Sequence, residues 1–397
     1  MNDLLLAKRA TTALLFGNLV IGIGVMVVPG MLNHLSKDLV VSVPVAGQLI
    51  ALAAVVMAIG APLIAAFTSS VNRRLLLTIA QLFYMAGALL CAAAPQFAAL
   101  LPTRAIMVIG AAIFTPQAAA TIGLLVPPEK RSGAVTTIFM GWSISAVIGM
   151  PVGNLIAEHF GWRYGFLLIA GLALVSAIWV WRVIPAGLTV PKLSFASWQG
   201  VFTRPRLMTI LAVTLISSSG QFTILSYVAP YLAEHVGASP TTFSLLMALN
   251  GIAGVAGSLW VTKNIARLGT EKTVRRACIT LVIGISLWAF ETLITGKFSI
   301  GFWLSYTMLA IGCTAWGAGS FATNSTQQAR LAGVAPELAS ASIALNSSAM
   351  YAGQSIGALI GGLLLAGFGF SSLPWLATGL LVAALIVSNI AGRITEK

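Results

Sequence analysis

Few ionisable side chains fall within the long apolar stretches of this sequence, and those that do could bind or transfer charge. Arg104 lies near the start of one stretch, Glu291 lies inside another, and Asp38 follows the first. A charge in the middle of a bilayer costs about 2.5–3.5 kcal/mol on insertion scales, so it must face protein or water. We predict that Arg104 takes part in proton coupling or attracts substrate charge, although its head could instead reach the lipid headgroups. Glu291 and Asp38 are the candidate proton carriers.

Histidine follows glutamate at two places, Glu158-His159 and Glu234-His235. Adjacent residues of a helix point in different directions, so neither is predicted to act as an acid–base pair. We interpret both as solvated helix ends. Histidine changes charge at mildly acidic pH, so these residues could also sense the pH outside.

No combination of residues typical of catalysis is present, and we predict that the protein is not an enzyme. There is no Ser/His/acid set, no group of metal ligands and no G-x-x-x-x-G-K-[ST] loop for nucleotide phosphates. Cys91, Cys278 and Cys313 are dispersed through apolar stretches and are interpreted as packing residues. We therefore expect no metal and no cofactor, and an ion gradient as the energy source.

The composition is that of a membrane protein, because 58% of the residues are hydrophobic and only 8% are charged. Runs of about 20 apolar residues, enough to cross about 30 Å of hydrocarbon, recur along the chain. We predict an all-α integral membrane protein with twelve transmembrane helices. The predicted spans are 11–35, 43–67, 75–94, 99–125, 133–156, 163–184, 207–233, 241–262, 274–295, 298–325, 338–366 and 371–392.

Basic residues give the chain a net charge of +13. If both termini are cytoplasmic, as twelve spans allow, most Lys and Arg residues fall on the cytoplasmic side, as the positive-inside rule requires. The loop charges are predicted to set topology and to contact the headgroups of the lipid bilayer, and nucleic acid is not expected as a partner. They include Arg73, Arg74, Lys263 and Arg267.

A segment of the first half recurs in the second half at a constant offset of 208 residues (357 − 149). Ile148-Gly149 matches Ile356-Gly357, Gly153 matches Gly361, and Phe160-Gly161 matches Phe368-Gly369. Parallel repeats of helix bundles are how many secondary transporters are built. We predict two six-helix bundles, 1–184 and 207–397, joined by a Pro-rich cytoplasmic linker at 185–206.

Several motifs resemble one family. The segment Val126–Arg131, the helix with Gly141, Gly149, Pro151 and Gly153, and the turn Phe160–Arg163 resemble the fourth loop and the glycine-rich "antiporter" fifth helix of the major facilitator superfamily. Gly220–Pro230 and Leu345–Gly357 are similar to the seventh and eleventh helices of its bacterial sugar, nucleoside and arabinose efflux members, and Arg104–Gly110 resembles its intramembrane arginine motif. Small residues let helices approach closely in lipid, so the glycines predict tight helix contacts.

The resemblance implies an exporter of small molecules (drug-like amphipaths, sugars or nucleosides) in the bacterial inner membrane, working by proton antiport with alternating access. We expect a monomer. Three alternatives stay open: a passive facilitator or uptake carrier of the same fold, a carrier of organic anions, and a membrane receptor that transports nothing.

In the family, the first, fourth, seventh and tenth helices surround the central cavity, and this implies where a substrate would bind. Uncharged polar and aromatic side chains of those spans suit a neutral amphipathic solute, although hydrogen bonding between helices is an alternative role for each. The candidates are Asn18, Gln117, Gln221, Tyr227, Tyr306, Trp316 and Asn324.

The sequence departs from the family pattern at its acids. Ser69 stands where the loop after the second helix usually has an acid, and Ala266 stands at the corresponding position of the second half. Asn72 replaces a glycine of the same loop. Val25 stands where the arabinose-efflux group often has a glutamate in the first helix. The departures put a cytoplasmic ion-pair latch in doubt and leave the first helix without an acid.

Overall fold

A computed structural model of the protein describes residues 2–68, 71–127, 131–189, 195–297 and 302–394, and almost all of these residues are helical. The helices are α1 Asn2–Gly30, α2 Leu32–Asp38, α3 Val43–Phe67, α4 Arg73–Ala93, α5 Phe97–Leu125, α6 Arg131–His159, α7 Trp162–Val183, α8 Phe195–Phe202, α9 Pro205–Leu225, α10 Val228–Pro230, α11 Pro240–Leu268, α12 Thr270–Lys297, α13 Phe302–Val334, α14 Ala339–Phe368 and α15 Ser372–Ala391. A π-helical turn, Tyr231–His235, follows α10, and a 3₁₀ turn, Pro336–Leu338, precedes α14.

The predicted all-α membrane fold is confirmed. Within the described residues, 11 helices are long and apolar enough to cross a membrane, and no strand occurs. The predicted span 298–325 begins outside the described residues and continues into α13, which ends at Val334. Part of the predicted linker, 190–194, also lies outside them, and the rest of it includes the short helix α8.

Local sequence signals explain where several helices begin and end. The side chain of Asn72 accepts a hydrogen bond from the backbone N–H of Arg74 at 3.0 Å and caps α4, so the departure from the family's glycine has a structural role. Ser239 caps α11 in the same way through Thr242, at 3.1 Å. Gly161 and Gly369, which correspond in the two halves, turn the chain after α6 and α14 with φ of 94° and 75°, values that favour glycine.

The seventh predicted span, 207–233, is not one continuous helix. Its main helix, α9, ends at Leu225, and α10 and the π turn follow. Pro230 has no N–H with which to bond the carbonyl of Ser226, and this missing hydrogen bond weakens a regular helix at the point where α9 ends. The π turn is wider than an α-helical turn, and His235 is its last residue.

The chain forms two compact units. Unit 1 comprises Met1–Ser42 and Leu52–Leu193, and unit 2 comprises Val43–Ala51 and Ser194–Lys397. In unit 1, α1 packs along α6, and α4 packs against α5 and α7. In unit 2, α9 packs along α14 and α15, α12 along α13, and α13 along α11. The bundle boundaries proposed from the sequence stay a prediction.

The repeated glycines hold equivalent helix pairs together. A Cβ on Gly153 of α6 would come within 2.8 Å of the carbonyl oxygen of Val27 in α1. A Cβ on the matching Gly361 of α14 would come within 2.7 Å of the carbonyl oxygen of Thr223 in α9. Only hydrogen fits between such backbones, so the repeat preserves a close helix contact in each unit. Gly141 and Gly149 line the same α1–α6 contact, and Pro151 lies half-buried between them and Gly153.

Candidate functional site

Arg104 is buried in unit 1, with 1% of its surface exposed. Its Nη2 donates to the carbonyl oxygen of Gly24 in α1 at 2.9 Å, and its Nη1 lies 3.3 Å from the sulfur of Met107. The guanidinium carbon lies 6.0 Å from the centre of the Phe166 ring, and Nε has no hydrogen-bond partner among the described residues. The placement favours a protein-facing charge over the headgroup alternative.

The sequence around Gly24 makes room for this arrangement. A Cβ at Gly24 would collide with the hydroxyl of Tyr84, which donates to the carbonyl oxygen of Ile21 at 3.1 Å. The neighbouring Val25 supplies no acid, and no carboxylate of the described residues forms an ion pair with Arg104. Arg104 therefore carries a buried positive charge that is held by a carbonyl dipole, a sulfur and an aromatic face.

Glu291 is a buried acid of unit 2, with 1% of its side chain exposed. Its Oε1 accepts a hydrogen bond from the hydroxyl of Ser305 in α13. Its Oε2 lies 3.8 Å from Nε2 of His235 on the π turn. The ring of Tyr231 lies between that imidazole and the indole of Trp288, with centroid distances of 5.2 and 5.3 Å. Glu291 thus belongs to a cluster of polar and aromatic side chains from three segments.

The other acids and histidines lie in more open surroundings. Asp38 is exposed at the last position of α2. Glu158 lies 3.4 Å from Nε2 of His34, which comes from α2, and both side chains are partly exposed. The pairs that are adjacent in the sequence, Glu158-His159 and Glu234-His235, are therefore not the ion pairs that the structure shows. His235 reaches Glu291, whereas Glu234 beside it is exposed.

Two of the predicted substrate-binding residues lie in unit 1 and are bonded within it. Asn18 is fully buried, and its amide donates to the carbonyl oxygen of Ile138 at 3.4 Å. Gln117 is 5% exposed and accepts a hydrogen bond from Nη1 of Arg73. Both residues thus link helices of this unit, which was the alternative role considered for them.

Two more candidates join helices of unit 2. The hydroxyl of Tyr227 donates to the carbonyl oxygen of Ala358 at 2.7 Å, and this side chain is 1% exposed. Trp316, at 2% exposure, meets Trp288 edge to face at 5.7 Å. Both side chains are committed to packing and hydrogen bonding in the structure.

The remaining candidates of unit 2 are half-buried. The amide of Gln221 donates to the backbone and hydroxyl of Ser217, both at 3.3 Å, one turn earlier in α9. Asn324 accepts from Gln328 at 3.5 Å, and Tyr306 is partly exposed on α13. Of all the predicted lining residues, these three are the most accessible.

The loop charges divide into buried and exposed ones. Arg73 is only 1% exposed and donates through Nη2 to the carbonyl oxygen of Thr68 at 3.2 Å, in addition to its bond with Gln117. Arg74 lies over the ring of Trp181 at 4.0 Å. Lys263 and Arg267 are exposed near the end of α11. Ser69, the residue that replaces the expected acid, lies outside the described residues.

Unit 2 contains a network of ion pairs that was not predicted from the sequence. Arg330, 2% exposed, donates through Nη2 to Glu271 at 2.6 Å and to the backbone of Ser388 at 3.0 Å, and its Nε donates to Glu271 at 3.0 Å. Arg206 approaches the same carboxylate at 3.4 Å. These residues come from α9, α12, α13 and α15, and only the fold brings them together.

Comparisons with known proteins give a consistent result. The family model described as Major Facilitator Superfamily matches residues 14–345. The chain is 28% identical over 357 residues to the "Inner membrane transport protein YdhP" of Escherichia coli (strain K12), covering 90% of this chain and 88% of that protein. It is 26% identical over 354 residues to a "Probable sugar efflux transporter" of Helicobacter pylori (strain G27), covering 88% and 87%.

Solved structures share the fold at lower identity. A bacterial homologue of the human lysosomal transporter Spinster, in an inward-facing and occupied conformation, aligns with a TM-score of 0.75 at 18% identity and covers 98% of this chain and 97% of its own. A D-xylose-proton symporter aligns with a TM-score of 0.74 at 17% identity, covering 96% and 97%. At these identities the likeness concerns the fold alone.

Proposed function

The chain belongs to the Major Facilitator Superfamily and is a multi-pass membrane transporter of small molecules, and from this premise we propose that it exports its substrate in exchange for protons by alternating access. The observation that carries the proposal is the environment of Glu291. This carboxyl is buried in a membrane-spanning helix, and its only ion-pair neighbour among the described residues is a histidine rather than a fixed cation. A carboxylate without a fixed cation can gain and lose a proton during a transport cycle.

Arg104 has a different role in this proposal. A guanidinium stays protonated at all accessible pH values, so it cannot carry the proton itself. Its buried charge, without a carboxylate partner among the described residues, would attract an acidic or electron-rich part of the substrate, or favour loss of the proton elsewhere. Asp38, exposed after α2, is the second candidate for proton binding.

The substrate class is proposed from the accessible polar groups. Gln221, Tyr306 and Asn324 offer amides and a phenol without a net charge, and such groups suit sugars, nucleosides or neutral drug-like amphipaths. A relative named as a probable sugar efflux transporter supports the first of these classes. The tightly bonded Asn18 and Tyr227 would shape the helices around the site rather than bind the solute.

Charge and relatives support a proposal for location and orientation. We place the protein in the bacterial inner membrane as a monomer, with both termini cytoplasmic, because most basic residues then lie on the inner side and a relative is an inner membrane protein. Single cysteines at Ser194 and Ser239, in a cysteine-free background, should be labelled from opposite faces. Labelling of both by an impermeant outside reagent would refute this topology.

Transport in inverted membrane vesicles tests the function. Labelled sugars, nucleosides and amphipathic dyes are offered with and without a respiratory proton gradient. At least one compound should accumulate against its concentration gradient, and a protonophore should abolish the accumulation. Equilibration without accumulation in every case would replace the antiporter with a passive facilitator.

The buried Arg104 also favours a second candidate, a carrier of organic anions. The same vesicle panel decides between the two when it includes aromatic carboxylates. Accumulation restricted to these anions would support the second candidate, and accumulation of neutral compounds would support the first.

A further inference from the structure

Three buried polar atoms from neighbouring side chains of unit 2 have no hydrogen-bond partner among the described residues. They are the hydroxyl oxygen of Tyr231, Nε2 of His235 and Oε2 of Glu291. Oε2 and Nε2 are 3.8 Å apart, too far for a direct hydrogen bond but close enough for strong attraction between charges. Buried polar groups are nearly always satisfied in proteins, so an unpartnered carboxylate oxygen beside an unpartnered imidazole nitrogen is suited to sharing a proton.

The two charged side chains of the cluster differ in their exposure to solvent. The side chain of Glu291 is 1% exposed, whereas that of His235 is 20% exposed. The imidazole therefore lies between the buried carboxyl and solvent. Tyr231, which is fully buried, packs against the imidazole in a tilted arrangement, with ring centroids 5.2 Å apart, and holds it in this position.

We infer that His235 and Glu291 form a proton-loading pair, in which the imidazole receives a proton from solvent and passes it from Nε2 to Oε2 of the carboxyl when a small side-chain movement brings the two atoms to hydrogen-bonding distance. The inference rests on the proposed proton coupling and adds the route and the second residue of the site. In the transfer the N–H bond of the imidazolium breaks and an O–H bond of the carboxyl forms. The charged pair becomes a neutral imidazole and a neutral carboxylic acid, and release reverses the step.

The surroundings leave this pair free to exchange its proton. The described parts of α15 and of α11 up to Gly254 contain no Asp, Glu, His, Lys or Arg, and α13 has its one charged residue, Arg330, near the opposite end. Ser305 contributes a neutral hydroxyl to Glu291. The other titratable groups nearby are the phenols of Tyr231 and Tyr306 and the exposed Glu234. Lys297, at the end of α12, has a side chain outside the described part of the structure.

Unit 1 offers a matched control, the pair His34–Glu158. Its atoms are 3.4 Å apart, but the side chains are 27% and 41% exposed. Solvent screens such a pair, and a carboxylate that water can reach needs no relay. The two pairs have the same chemistry and differ in burial.

Infrared difference spectroscopy during a pH titration tests the inference without a substrate. The purified full-length protein in lipid vesicles is titrated between about pH 8 and pH 5, a range in which solvated carboxyls stay largely ionised. The wild type should show a protonated-carboxyl band that Glu291→Gln removes. Glu291→Asp should keep a band at a different frequency, which separates loss of the proton site from loss of folding.

Substitution of His235 tests whether the imidazole influences the protonation of Glu291. His235→Asn removes the imidazolium that favours the ionised carboxyl, so the midpoint of the band should move to higher pH by about one unit. His34→Asn and Glu158→Gln should leave the band and its midpoint unchanged. A band that persists in Glu291→Gln, or a midpoint that does not move in His235→Asn, would overturn the inference.

Transport data separate the two proposals. If the band behaves as expected but the wild type never accumulates substrate under a proton gradient, the proposed antiport fails and the proton site stands. If accumulation is proton-driven but Glu291→Gln leaves the band intact, the coupling stands and this pair is not its site.

Discussion

The helix pair α4–α5 of unit 1 and the helix pair α12–α13 of unit 2 share a packing scheme and differ in chemistry. A Cβ on Gly110 of α5 would come within 2.9 Å of the backbone nitrogen of Tyr84 in α4. A Cβ on Gly312 of α13 would come within 3.0 Å of the indole nitrogen of Trp288 in α12. Each aromatic side chain donates to a backbone carbonyl, at 3.1 Å in both units. The common scheme aligns α4 with α12 residue by residue.

The difference appears one turn further along the aligned helices. Gly87 follows Tyr84 by three residues, and Glu291 follows Trp288 by three residues. Unit 1 thus has a glycine where unit 2 has its buried acid, and α5 of unit 1 carries the buried Arg104. One unit holds a fixed positive charge and the other holds a group that can change its charge. The comparison teaches that the two units share a scaffold but differ in the buried ionisable groups it carries, and it supports the proposal of a proton step in unit 2.

Arg104→Ala should have the largest effect among the variants of unit 1. It should reduce transport to background, because the buried positive charge is lost, while the protein still reaches the membrane. Arg104→Lys should restore little, since a point charge does not reproduce the planar donor set of arginine. Transport per unit of membrane protein is the measurement. Arg163→Ala is the control, because Arg163 also donates to a backbone carbonyl, at 3.1 Å, but lies in a more exposed position. Normal transport by Arg104→Ala would show that the fixed charge is dispensable.

Two substitutions test a second difference between the units, which is the charge of the side chain that binds a buried arginine. Arg330 is neutralised by the carboxylate of Glu271, whereas Arg73 is held by the neutral amide of Gln117. Glu271→Gln should destabilise the protein by about 1–3 kcal/mol, a value reduced from that of a fully buried pair because Glu271 is 43% exposed. Gln117→Glu should raise stability or leave it unchanged. The apparent Tm of the purified variants measures both, and a more stable Glu271→Gln would contradict the account.

For a glycine at a close helix contact, we predict a loss of stability of similar or smaller size. Gly153→Ala should lower stability by about 1–3 kcal/mol, because the methyl group would be forced against Val27 of α1. Gly171→Ala is the matched control, since nothing lies within 4 Å of its Cβ. The control should be neutral or stabilising by up to about 1 kcal/mol through helix propensity. Equal apparent Tm shifts in the two variants would remove the case for a tight α1–α6 contact.

The smallest effect is expected at an exposed ion pair of unit 2. The pKa of Glu337 lies below its usual value because its own backbone N–H, and then the guanidinium of Arg204, favour the ionised carboxylate. A lowered pKa in the folded state stabilises the protein above the ordinary pKa of the carboxyl, and this contribution is lost as the pH falls. Glu337→Gln should therefore lower the apparent Tm slightly at neutral pH and not at all in acid. A loss as large as that of Glu271→Gln would contradict the distinction between exposed and buried pairs.

The fold could be predicted because the signals for it are local. Apolar runs of about 20 residues define spans, and the recurring glycines predict close helix contacts that the structure places at α1–α6 and α9–α14. The break after Leu225 was missed, because a helix-length apolar run hides the effect of Pro230. The buried position of Arg104 was an expectation, but its bond to the carbonyl of Gly24 depends on packing between two helices.

The candidate site was harder to predict, because its partners are distant in the sequence. From the sequence, His235 was interpreted as part of a solvated helix end, whereas in the structure it lies on the π turn and approaches Glu291. Likewise, Glu271 and Arg330 carry no local mark of their pairing. Several polar residues assigned to the substrate, such as Asn18 and Tyr227, make hydrogen bonds between helices, and composition cannot distinguish the two uses.

Uphill export by Glu291→Gln in inverted vesicles tests the central claim most directly. The substitution keeps the size and hydrogen bonding of the side chain but removes its change of charge. With Glu158→Gln as the control, proton-driven accumulation should disappear in Glu291→Gln, while exchange of substrate at equilibrium continues. Accumulation at the wild-type level by Glu291→Gln would place the proton step outside the buried acid of unit 2 and contradict the account.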